Sequence, residues 1–585
     1  MSVIKLTGFT GEQPRILPRM LSDNAAQAAY NVRLDDGGLT PSRISVQQVT
    51  LQDRQAKTVY RHQGQWLSWP FEVNACPGPV ASERLYYTGD GAPKLRVNNQ
   101  VYRLAIDKPG SALNCRIEKD SRGGQQRDVI TRYYAYTFVS DFGEETEPSP
   151  VGSSINWQDG QTVRLSGFLE PPANRNITKQ RIYRTQTGAS SGTYLYFIAE
   201  RTVSTNDFID DIPNDNFNEA LPSARWNPPP DGLKGLTAMP NGMMAAFDQR
   251  QLYFCEPYRP HAWPENYILT TDSDIVALGA IGSVLIILTK GQPYLCSGSH
   301  PEAMQMVKLE SNYPCINSRA VVDLGFCIVY PSHEGLIAVG ADGNVRLISA
   351  NLFNRDAWLA LSPQTMVAAQ MSGRYVAFYD TVNEQGKQSG ALFVDAGETP
   401  FLIRSGEKAQ AAFYEVETGA LHYVRPDGND IYRLDSPEGD RNTLYWRSKQ
   451  FYLPHPDNFG VILVESDRML SGDEIRINEE AIQQAKDRNA QKLKDGPVFG
   501  EINAYEINAV PLGGDILEPI PRTNGTVSVG VIADGKKVAQ ITNTNEPCRL
   551  PSGFLARKWE IEVASDVAIS TITMAKTIDE LKVTA

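Results

Sequence analysis

The chain has 585 residues, 41% of them hydrophobic and 21% charged, with 68 acids against 56 bases for a net charge of -12. That is the composition of an ordered globular protein, and too long for one core, which rarely grows past roughly 250–300 residues. No run of five lysines or arginines occurs, which excludes the usual signature of a sequence-reading nucleic-acid binder.

Residues 1–10 (MSVIKLTGFT) lack the basic start and apolar core of a secretory leader. The longest apolar stretch, near 281–288, falls short of the roughly 20 residues a bilayer-spanning helix needs. The expectation is a soluble protein made in the cytosol. Seven widely spaced cysteines (76, 115, 255, 296, 315, 327 and 548) give neither a zinc motif nor a disulfide framework. Buried thiols are the expected state.

In chain order, residues 11–41 come first. Gly11, Pro14 and Pro18 punctuate an irregular start, residues 21–31 offer an Ala-rich stretch of three helical turns, and Asp36, Gly37 and Gly38 stop it. An N-terminal docking arm with a short helix is expected over 1–56. Residues 57–106 then offer short strands (TVYRHQGQWLSWP, RLYYTGDGAPKL, QVYRLAI) separated by turns. Over 107–230 the strands YYAYTFVSD, TVRLSGF, KQRIYRTQTG and TYLYFIAERTV predict an inserted β-sandwich. It leaves through a linker ending in the triple proline 228–230.

Between 231 and 440 the pattern repeats. Apolar segments begin near 236, 275, 321, 367 and 413, each with a strand, a glycine turn and further strands. A 40–50-residue period of short strands predicts the blades of a β-propeller, six in number, with 57–106 closing the ring against the last unit. After residue 434 the period breaks. Residues 441–585 predict a β-rich platform domain with an inserted helix over 478–495, acids first, lysines last and Gly496 as stop. The fold class expected is therefore mainly β: a β-propeller carrying an inserted β-sandwich and a C-terminal platform.

Catalytic signals are weak. None of the six histidines lies four residues from another, and no HExxH, GxSxG or calcium loop is present. Glu144, Glu145 and Glu147 read as a solvated rim or subunit contact more readily than as a glycosidase pair. Neither metal nor cofactor is expected, nor enzymatic activity. Tyr258, Trp263 and Trp358 could stack on sugars, which keeps a receptor- or glycan-binding module open as the alternative.

Five segments, PRILPRMLSDNAAQAAYNVRLDDGGLTPSR, RLYYTGDGAPKL, YYAYTFVSDFGEETEPSP, LYWRSKQFYLPHPDNFG and CRLPSGFLARKWEIEVAS, occur in an order that resembles the tail nozzle proteins of short-tailed phages, also called tail tubular protein B. The likeness spans the chain and is thinnest over 471–520. It implies a virion tail component made in the host cytoplasm: a homohexameric ring below the tail adaptor protein that continues the DNA channel and retains the genome until ejection. It also implies tail fibre or spike neighbours and passage of double-stranded DNA without sequence recognition. On that basis Arg15, Arg19, Asn24, Asn31 and Arg33 are expected to dock the adaptor or a neighbouring subunit. Arg447, Lys449 and Arg557 are expected to line the channel. Tyr505, in the Gly/Pro-containing loop 496–520, is the expected gate.

Overall fold

The computed structural model describes residues 3–584 except 126, 174, 188–192, 214–217, 384–385, 427, 467–471, 496–516 and 519–524. Short antiparallel strands dominate it, arranged as many small separate sheets. The α-helices among the described residues are Arg355–Leu359, Gly472–Asp495 and Ile578–Thr584.

Strand alternation explains the repetitive middle of the chain. Val284–Thr289 is buried almost along its length because its two faces feed two cores. Leu285 and Ile287 pack with Phe247, Phe254 and Tyr294, whereas Ile286 and Leu288 pack with Ile328, Tyr330 and Ile337. Side chains alternate faces with period two, so a strand apolar at every position suits a sheet covered on both sides. Each such side chain removed from water contributes about 1.5–3 kcal/mol.

Four sheets of this kind have four strands in simple sequential order. They begin at Asn74–Pro77, Lys234–Ala238, Ile275–Ile281 and Val322–Asp323. A fifth four-stranded sheet combines Ala411–Glu415, Ala420–Val424 and Asp430–Arg433 with Val46–Thr50 from the start of the chain.

The expected β-propeller is not what the topology gives. Among the described residues no sheet closes on itself, and the small sheets remain open and separate. The unit predicted from residue 367 is not a free-standing blade. Its strands Val367–Met371, Arg374–Asn383, Gly386–Val394 and Leu402–Ser405 continue through Ala26–Tyr30 into Leu444–Ser448, Ala556–Ser565, Val527–Ala533 and Lys536–Ile541, with Phe451–Asp457 paired beside them. The result is a ten-stranded sheet. Turn spacing specifies which strands pair locally, but an open strand edge takes whatever backbone the fold brings to it. Nor do residues 58–103 form one unit: hairpin Thr58–His62/Gln65–Trp69 is a separate two-stranded sheet.

The inserted region holds two three-stranded sheets and a two-stranded one around a shared core that includes Tyr134, Tyr136, Phe138, Trp157, Leu165 and Ile182. A charged cluster lies within it. Asp210 accepts from Arg184 Nη1 at 2.9 Å and from the Tyr134 hydroxyl at 2.7 Å, while the Arg132 guanidinium stacks 3.4 Å from the Trp157 ring centroid. Asp210, Arg184 and Arg132 are all buried.

Candidate assembly surface

The N-terminal arm is extended rather than helical where it meets the ten-stranded sheet. Residues 26–30, expected inside a helix, form the strand Ala26–Tyr30 between Leu402–Ser405 and Leu444–Ser448. Alanine's helix preference is worth a fraction of a kcal/mol per residue and yields to two ladders of backbone hydrogen bonds. The small side chains have another use: Ala26 and Ala29 are fully buried beside Trp446, whose Nε1 donates to the Thr10 carbonyl at 3.1 Å. Phe9 meets the Trp446 ring edge-on at 5.0 Å. At Gly11 a Cβ would run into the Leu402 carbonyl, so only glycine lets the arm lie this close.

Glu12 fixes the arm in place. Its backbone exchanges hydrogen bonds with Leu402 at 2.8 and 3.0 Å. Its carboxylate takes the Ala29 N–H at 2.8 Å and Arg404 Nε–H at 2.9 Å. Burial pushes the Glu12 carboxyl above its ordinary range, with Arg404 and the Ala29 N–H pulling the other way. For Arg404, burial opposes the charge, and Glu12, Tyr30 and Tyr379 together outweigh it.

Most of the predicted docking residues are engaged within the chain. Arg15 Nη1 donates to the Ala350 carbonyl at 2.8 Å, and Asn24 Nδ2 to the Gly8 carbonyl at 2.9 Å. Asn31 adopts a left-handed φ of 51° that turns the chain out of the sheet, its N–H held by the Arg404 carbonyl. Arg33 lies 3.4 Å from Asp35 and 3.6 Å from Asp435. Arg19 stands exposed, on a loop that also exposes Leu17 and Met20.

Two of the three basic residues expected in a channel carry a carboxylate partner. Arg447 Nη2 lies 2.7 Å from Glu560, which is buried and also accepts from Gln27 Nε2 at 2.9 Å. Lys449 lies 2.9 Å from Asp23. Arg557 is exposed, with Nε donating to the Leu453 carbonyl at 3.2 Å. Arg447 and Lys449 lie at and just past the end of the strand Leu444–Ser448, beside the arm. Tyr505 and most of the predicted gate loop lie outside the described residues.

The acidic rim is corrected. Glu144 and Glu145 are buried, not solvated. Glu144 pairs with Arg175 at 2.7 Å. Glu145 accepts from Arg181 at 2.8 Å, the Tyr183 hydroxyl at 2.6 Å and the Thr137 hydroxyl at 2.8 Å. Glu147 is tied to Lys108 and Asn227. The burial reflects the strand that precedes them, Tyr134–Ser140, buried at every position. Trp263 and Trp358, proposed to stack on sugars, are buried too, each indole N–H satisfied by a backbone carbonyl. Tyr258 is exposed.

Buried His261 donates its Nε2–H to the Glu145 carbonyl at 3.1 Å, and burial pushes its pKa down to about 4. Among the described residues no group of three His, Cys, Asp or Glu side chains is placed to hold a metal ion. Cys76, Cys255, Cys296, Cys315 and Cys327 are buried free thiols, and Cys115 and Cys548 are partly exposed ones. Glu12, Arg404 and Glu560 escaped the sequence reading, since a lone acid among loop or strand residues carries no spacing signal.

No protein-family model matches the chain, and no curated protein matches it in sequence. Among solved structures it is similar to BamB from Moraxella catarrhalis, at 8% identity and a TM-score of 0.27 over 67% of this chain and 100% of that one. It is also similar to the extracellular domain of BT4673 from B. thetaiotaomicron, at 8% identity and a TM-score of 0.21 over 76% of this chain and 48% of that one. A functionally unknown protein from Desulfotomaculum acetoxidans gives 7% identity and a TM-score of 0.20, covering 63% and 97%. Superpositions this poor carry no argument about fold or function.

Proposed function

We propose that the chain is a structural component of a short-tailed phage tail, a subunit of a ring-shaped nozzle that continues the DNA channel. The observation that supports this is the convergence of the five family-like segments. Three of them, far apart in sequence, supply the neighbouring strands Ala26–Tyr30, Leu444–Ser448 and Ala556–Ser565. The other two meet where Arg84 donates to the Phe142 carbonyl at 3.4 Å with its guanidinium 5.2 Å from the Phe142 ring centroid.

On this reading six copies associate around the tail axis and bind the adaptor protein, with fibre or spike proteins attached outside. The exposed 17–20 loop, with Leu17, Arg19 and Met20, is the part of the arm left available for such contacts. DNA passes without sequence recognition. Arg447 and Lys449 are already neutralised by Glu560 and Asp23, and the chain carries 12 net negative charges, so a duplex meets little that would retain it. The role is mechanical rather than catalytic, and Tyr505 remains the proposed gate.

An amber mutation in the phage gene encoding the chain tests the reading. In a non-suppressing host, particles are expected to assemble heads but to lose their DNA or fail to eject it. Normal titres of infectious particles lacking the protein would overturn it.

A further inference from the structure

One face of the ten-stranded sheet carries a row of tyrosines drawn from three separate parts of the chain. Tyr30 sits opposite Tyr445 in the ladder, their ring centroids 6.5 Å apart and tilted 56°. On its other side Tyr30 pairs with Arg404. Tyr379 lies across Gly390, where any side chain would press on the Tyr379 hydroxyl and the Ser405 carbonyl. Tyr379 is near enough to act electrostatically on both Arg404 and Tyr30. Tyr30 is 43% exposed and Tyr445 half-buried, while Tyr379 packs in part against the core that includes Leu392 and leaves only part of its ring open.

Beside the row, a groove of about 500 Å³ is lined by Arg15, Asn354, Asp356, Gln388 and Arg404, within the size range of small-ligand sites. Charge on this face is present but internally cancelled. Arg404 pairs with Glu12 at 2.9 Å, Arg447 with Glu560 at 2.7 Å and Lys537 with Glu562 at 2.6 Å.

We propose that this face binds a neutral saccharide, with pyranose rings lying on Tyr30, Tyr379 and Tyr445 and hydroxyls reaching into the groove. Tyrosine offers a flat apolar face and a polar tip, which suits a ligand apolar on its ring faces and polar at its rim. Paired charges keep free hydrogen-bonding edges while presenting no net field. A polyanion needs unpaired cations along its path, and single-stranded nucleic acid in particular couples stacking to a basic groove. A cation would find one carboxylate in the groove, Asp356, beside the guanidinium groups of Arg15 and Arg404. The inference moves sugar recognition away from buried Trp263 and Trp358 to the sheet face.

Saturation-transfer NMR on the full chain, with maltohexaose and chitohexaose as probes, tests it. Transfer to ring protons of at least one hexaose is expected, falling at least tenfold in Tyr30→Ala and in Tyr445→Leu, which keeps apolar bulk but removes the ring. Tyr194→Ala, exposed in the inserted region, should leave transfer unchanged. No transfer from either hexaose, transfer that survives both sheet variants, or displacement by a twelve-residue oligothymidylate at low salt would overturn the assignment.

Discussion

Glu12 and Arg404 join distant parts of the chain: a carboxylate from the N-terminal arm accepts a guanidinium proton at 2.9 Å from a strand nearly four hundred residues later. The same carboxylate holds the Ala29 N–H, so one side chain secures both the arm and the strand that follows it. Replacing Glu12 with Ala strands a largely buried guanidinium and a buried N–H, at a cost of about 3 kcal/mol. The arm should then open locally without global unfolding. Trypsin cleavage after Arg33 is expected to accelerate about a hundredfold in Glu12→Ala; an unchanged rate would mean the arm is held by its ladders alone.

The arm also marks what the sequence could and could not disclose. Its breaks at Gly11, Pro14 and Gly37 were legible, because backbone chemistry acts locally. The strand Ala26–Tyr30 was not, because AQAAY becomes extended only when two edges 370 to 420 residues away flank it. The same distinction runs through the middle of the chain. Strands begin at Lys234, Ile275, Val322, Val367 and Ala411, close to where the apolar period placed them. The closed propeller inferred from that period was wrong, since alternation and turns say nothing about which foreign strand an open edge will take. The helix Gly472–Asp495 was recognised by its charge order and terminal glycine, though it begins earlier than expected. Tyr30, Tyr379 and Tyr445 gave no signal at all, each being an ordinary strand tyrosine until the sheet aligns them.

Asp210 provides a second test, inside the inserted region. It neutralises buried Arg184 and lies 3.5 Å from buried Arg132. Asp210→Ala removes the carboxylate that two buried guanidinium groups share, at a cost of about 3–5 kcal/mol. Hydrogen exchange in Val129–Arg132 and Tyr134–Ser140 should speed up by two to three orders of magnitude, given that about 1.4 kcal/mol is tenfold. Exchange within tenfold of the parent protein would show that the arginines find other partners.

His261 sets an acid limit on stability. Folded, the ring takes a proton only near pH 4 because burial disfavours its charge, with Glu144 opposing and Arg175 and Arg259 assisting. Unfolded, it titrates near 6.5. Above pH 6.5 the ring is neutral in both states. Between about 6.5 and 4 the unfolded chain binds more protons, so stability falls with falling pH, by about 3 kcal/mol at the lower end. His261→Gln should flatten that part of the profile when melting temperatures are compared at pH 7 and 4.5. An identical slope would place the acid sensitivity elsewhere, with His422, also lowered by burial, the next residue to test.

The central claim is that this chain forms a ring in a phage tail. Cryo-electron microscopy of purified virions whose genome encodes it, with the tail reconstructed without imposed symmetry, measures this directly. Six copies are expected around the tail axis in the segment distal to the adaptor, each contributing the Ala26–Tyr30/Leu444–Ser448 sheet to the ring. A virion without the chain, or a tail holding one or three copies, would contradict it.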